Sequence, residues 1–165
     1  MTSKYVELSD LAVAHTKARF DSSKRAQLRV KQLVDGYALY LGAPTADMKF
    51  CRMDGNLERS GEVAPLDTLP HLVLGMQGFW HFCFSIDFKR GQFGHFVNEF
   101  NKLAIRENGD GSITARMDGK EFKVDSMEPK TTLPLYDHLY QLSKEGLAKP
   151  FEEPSKRIGF VETDD

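Results

Sequence analysis

His81 and Cys83 stand two residues apart inside the aromatic run "LVLGMQGFWHFCFSIDFKRGQFGHF", residues 72–96. Three chemistries use such residues: a Cys–His nucleophile, a metal cage, or a platform on which bases stack. A nucleophile and its base need to approach hydrogen-bond contact, whereas side chains two apart on a strand stand about 6.5–7 Å apart. A zinc or iron site needs three or four converging ligands. The candidates are His81, Cys83, Cys51 and His71, yet strand alternation places His71 on the face opposite His81, and no CxxC or HxxxH spacing occurs. A base platform needs aromatics interleaved with cations. Alternation instead gathers Trp80, Phe82, Phe84, Ile86 and Phe88 on one apolar face without Lys or Arg. That face reads as core, and no metal or cofactor is expected.

The other face of the same strand carries Phe79, His81, Cys83, Ser85 and Asp87. A two-residue turn at Gln77-Gly78 would set Leu72, Leu74 and Met76 beside His81 and Cys83. This second face is expected to be covered by a helix or by another subunit. Leu72, Leu74, His81 and Cys83 are therefore the candidate protein contacts. The segment 60–70, with Gly61, Pro65 and Pro70, reads as an irregular loop. It offers an alternative, a small-molecule or enzymatic pocket near His81 beneath that loop.

Other motifs are absent or incomplete. The glycine-rich stretches lack the Lys-Ser/Thr of a phosphate loop, and there is no GxSxG elbow. "NGDGS" at 108–112 opens like a calcium loop, but Gly119 stands where the closing Glu belongs, so it reads as a helix-to-strand turn. His95 and Glu99 read as a surface pair one helical turn apart.

A second alternative is nucleic-acid binding through Lys17, Arg19, Lys24, Arg25, Arg29 and Lys31, which share their segment with the single acid Asp21. Against it, Lys24 and Lys31 flank one side of the helix and Arg25 and Arg29 the other, and no short helix-turn-helix is present. The net charge of −2 adds no general attraction to polyanions.

The elements that position these residues follow from periodicity. Two N-terminal helices are expected. The first carries Leu8, Leu11, Ala12 and His15; the second opens at Asp21-Ser22-Ser23, carries Ala26, Val30, Leu33, Val34, Tyr37 and Leu41, and stops at Gly42. Asp54-Gly55 and Asp118-Gly119 suit tight hairpin turns, and the repeated word RMDG at Arg52 and Arg116 reflects that chemistry. In the hairpin 112–125, Ile113, Ala115 and Met117 share a face with Phe122 and Val124, while Arg116 meets Glu121. Phe93, Phe96, Val97, Phe100 and Leu103 suggest a central helix, and Pro134 the start of a last helix burying Leu135, Leu139 and Leu142.

The expected fold is α+β: a mainly antiparallel sheet of about five strands, with hairpins near 48–59, 71–88 and 112–125, packed with N-terminal, central and C-terminal helices. One domain spans 1–150. The tail 151–165 reads as a docking arm whose hydrophobes include Ile158 and Phe160. A hydrophobic content of 41% with only two Cys suits a globular protein of a reducing, cytoplasmic setting, and no apolar run is long enough to span a membrane. In its order of elements the chain resembles the small secretion chaperones, although it lacks their strongly acidic balance. That resemblance implies a protein that dimerises and holds partner segments. The favoured expectation is a non-enzymatic interaction or assembly module that binds another protein or itself as a homo-oligomer.

Overall fold

The computed structural model describes residues 3–89, 96–148 and 158–161. Helix α1 runs unbroken over Lys4–Leu41, where the sequence suggests two helices. The polar Asp21-Ser22-Ser23 step caps nothing here; good helix formers on both sides carry the backbone through it. Ser3 accepts a hydrogen bond from the Val6 amide at the start. At the end Gly42 adopts the left-handed conformation and donates to the Ala38 and Leu39 carbonyls.

Among the described residues eight strands form one antiparallel sheet, more than the about five expected. They are β1 (Met48–Met53), β2 (Arg59–Pro65), β3 (Val73–Leu74), β4 (Trp80–Lys89), β5 (Phe96–Glu107), β6 (Ile113–Met117), β7 (Lys120–Val124) and β8 (Ile158–Val161). The main order is β2-β1-β4-β5-β6-β7; β3 extends the β1 side of β4, and β8 pairs with β5. The second helix, α2, spans Pro129–Ala148. It starts five residues before Pro134, so that proline lies inside the helix rather than at its first turn.

Five expectations are corrected. The turn after β1 is the five-residue loop 54–58, with Leu57 rather than Asp54-Gly55 at positive φ, so it is not a two-residue turn. The segment carrying Phe96, Phe100 and Leu103 is strand, not helix: Phe100 lies opposite Ser85, and Leu103 opposite Phe82 on the other face. Phe93 and His95 lie outside the described residues, and Glu99 is buried in β5 rather than placed on a helix surface. Residues 59–65 form edge strand β2, leaving only its C-terminal part as loop. The turn at 108–112 joins strand to strand, with the Ser112 hydroxyl and amide both donating to Asp110.

The 113–124 hairpin has the expected register, with Ala115 opposite Phe122 and Arg116 opposite Glu121. Asp118 and Gly119 both take positive φ, as the two-residue loop requires.

One sheet face holds the core. Val30, Leu33, Val34 and Tyr37 of α1 meet Phe82, Phe84 and Ile86 of β4 and Leu135 and Leu139 of α2. Tyr37 sets the geometry, edge-on to Phe84 and beside Tyr136, with centroid distances of 5.9 and 5.5 Å. The helices cross closely at Gly36, where an added Cβ would lie 2.3 Å from the Tyr136 hydroxyl. That hydroxyl donates to the Leu33 carbonyl at 2.8 Å. A helix-interior Gly costs about 1 kcal/mol relative to Ala, so this contact accounts for its place.

Candidate functional site

Two regions of the described chain carry chemistry that the core does not use. The first is the N-terminal half of α1. Burial begins at Ala26, and every described residue from Ser3 to Asp21 is exposed. About five turns of helix, Lys4–Asp21, therefore extend past the sheet, roughly 27 Å at 1.5 Å per residue. Tyr5, Val6, Leu8, Leu11, Val13 and Phe20 are all solvent-facing, with Leu8 66% and Leu11 60% exposed. Leu8, Leu11, His15 and Ala18 follow alternating steps of three and four, the spacing of a helix–helix seam.

The six cations weighed for nucleic-acid binding all lie on α1, in different circumstances. Lys17 and Arg19 are exposed on the projecting half. Lys24 sits over the Phe20 ring. Arg25 bridges Glu107 at 3.0 Å, and Lys31 binds Asp35 and the Leu66 carbonyl. Arg29 is half-buried. They form no single surface.

The second region is the sheet face opposite the helices. Register sets Cys51 of β1 directly against Cys83 of β4, with Lys102 of β5 next in the row. Both cysteines are 1% exposed and pack with Met53, Val73 and Phe100. Arg59, on β2 opposite Met53, reaches over this row, and its guanidinium lies 3.5 Å from the Phe100 ring centre. Arg59 forms no ion pair among the described residues. Its nearby acidic group is instead the Cys51 thiol. A hydrogen bond from Cys83, with contributions from Ser85 and the Arg59 charge, holds the Cys51 thiol down to about 7 despite burial. The same bond and burial push Cys83 well above the ordinary thiol range. One thiolate, resting on Cys51, is thus favoured over two.

His81 lies on this face too, one row from the cysteines, and burial followed by the Arg116 charge lowers its pKa. Its ring packs on the backbone at Gly75, where a Cβ would approach Nε2 to 2.4 Å. Beside it is a cavity of about 370 Å³ lined by Leu57, Glu58, Lys102, Arg116 and Asp118. The 54–58 and 116–119 turns frame that cavity, and the 60–70 segment contributes nothing to its lining. Lys102 faces Glu58 at 3.5 Å and Arg116 faces Glu121 at 2.6 Å, so its cations are already paired.

The β3–β4 connection is one residue longer than a two-residue hairpin allows. Val73 therefore pairs with His81 and Leu74 with Trp80. This corrects the grouping of Leu72, Leu74 and Met76 with His81, because a one-residue slip exchanges faces. Leu72 packs on the helix-side core instead, and Val73 is the neighbour of His81 and Cys83. Of the tail, residues 158–161 pair as β8 with Phe96–Glu99 of β5, which places the Ile158 and Phe160 backbones at that edge.

No group of three His, Cys, Asp or Glu side chains that could hold a metal occurs among the described residues, and no described helix is long and apolar enough to cross a membrane. No family model matches the chain, and neither curated proteins nor solved structures give a match.

Sequence reasoning found the helical spacing of Leu8 and Leu11 but did not place them among the candidate contacts. It also missed the Cys51–Cys83 pairing. That pairing depends on strand order, which no local pattern encodes.

Proposed function

We propose that the chain is a non-enzymatic assembly module that self-associates through the projecting half of α1. The observation that carries this reading is the exposure of six large apolar side chains, Leu8 and Leu11 of the seam among them, on a stretch of α1 in which no described residue is buried. A free helical segment of this length is marginal in water, and burial of each such side chain contributes about 1.5–3 kcal/mol. Burying the seam on both copies yields a gain comparable with the roughly 4–15 kcal/mol that association costs.

The charges of the projecting half do not set the orientation of the pair: Asp10, Lys17 and Lys24, spaced by seven, lie on the side of the helix turned away from the Leu8–Leu11 seam. The two free, buried cysteines fit a reducing, cytoplasmic setting, which belongs to the same proposal.

Light scattering across a dilution series tests it. The expected result is a particle of twice the 18.7 kDa chain mass that dissociates on dilution. A single-chain mass at every concentration would overturn the reading.

A further inference from the structure

The row Cys51–Cys83 on the helix-free sheet face has a geometry that the assembly role does not need. Directly opposed residues of antiparallel strands have Cα atoms about 4.5–5.5 Å apart. This lies inside the roughly 4.4–6.8 Å window of a disulfide. Both side chains project to the same face and pack in one cluster. Closing the bond therefore needs rotation of side chains but no movement of strands.

We propose that Cys51 and Cys83 form a dithiol that exchanges with small-molecule disulfides of the glutathione type and closes into a cross-strand disulfide. Arg59 and Phe100 are its cover, since the guanidinium stacks on the ring above the cysteines. Arg59 comes from an edge strand that, among the described residues, pairs only with β1 and has five of its seven residues exposed. Access therefore takes local opening at a sheet edge, not unfolding of the core.

The step is balanced. The Cys51 thiolate attacks one sulfur of the disulfide RSSR, giving Cys51–S–S–R and releasing RS⁻, which takes a proton. Cys83 loses its proton to solvent and attacks the Cys51 sulfur, releasing the second RS⁻. Two protein thiols are oxidised, and RSSR is reduced to two RSH. Cys51 is the attacking sulfur because the Arg59 cation lies beside it, and a thiol titrating near ambient pH is the best placed to attack.

The test uses the folded, full chain with oxidised glutathione, acid-quenched, alkylated and weighed by intact mass spectrometry. The expected product is a chain two hydrogens lighter with neither thiol alkylated, formed at a rate that rises through pH about 7. Cys83→Ser is expected to stop at one glutathione on Cys51, and Cys51→Ser to leave Cys83 unreacted in the folded chain. Should a variant fail to fold, the wild-type mass decides alone. Two free thiols persisting while the denatured chain reacts would overturn the proposal, as would a glutathione adduct that never closes.

Discussion

Leu8→Glu combined with Leu11→Glu is expected to convert the dimer to single chains, weakening association by more than about 100-fold. Each Leu buried in the seam contributes about 1.5–3 kcal/mol, and a pair of copies loses four of them. Four carboxylates placed along one seam add desolvation and mutual repulsion to that loss. A factor of 100 corresponds to only about 2.8 kcal/mol, so even partial burial of the seam exceeds the threshold. The fold itself is expected to be indifferent. Both positions are solvent-facing and precede the first buried residue of α1, Ala26, and Glu is a good helix former. Sedimentation at matched concentrations reads the association, and circular dichroism confirms that helix content is kept.

Phe84→Ala acts at the opposite extreme, on stability rather than assembly. Phe84 is 1% exposed in the middle of β4 and meets Tyr37 of α1 edge-on. Its removal leaves a cavity between the sheet and α1 at the centre of the core. The expected cost is about 3–5 kcal/mol of unfolding free energy, a large fraction of the roughly 5–15 kcal/mol of a typical domain. Urea unfolding of the reduced protein at one fixed concentration measures it without mixing in the association equilibrium. A change below about 1 kcal/mol would mean that the site collapses around the gap and that Phe84 is not central.

What could be read from the sequence divides along a physical line. Hairpin 113–124 was legible to the residue because turn chemistry and two-faced alternation are both local. So was the core face of β4, where five consecutive alternate positions are large and apolar. Strand β5 was misread because it is central. Phe100 serves the open face and Leu103 the core, and buried Glu99 and Asn101 break the alternation. The remaining Phe and Leu then fall by chance at helical steps. The β3–β4 register failed on one extra turn residue, which moved Leu72 to the core side and left Val73 beside His81. The seam of α1 was visible as a periodic stripe, but only the tertiary fold shows where its cover ends. The facing of Cys51 and Cys83 follows from β1 lying between β2 and β4 in the sheet, an arrangement that no local signal specifies.

The central claim is that two copies pair along the projecting half of α1, and hydrogen exchange across a dilution series tests it most directly. At concentrations where the dimer forms, the account predicts slowed exchange at the amides around Leu8, Leu11 and His15, lost on dilution, while the sheet amides stay unchanged. Equal exchange along that stretch at every concentration, or a change confined to the sheet, would contradict it.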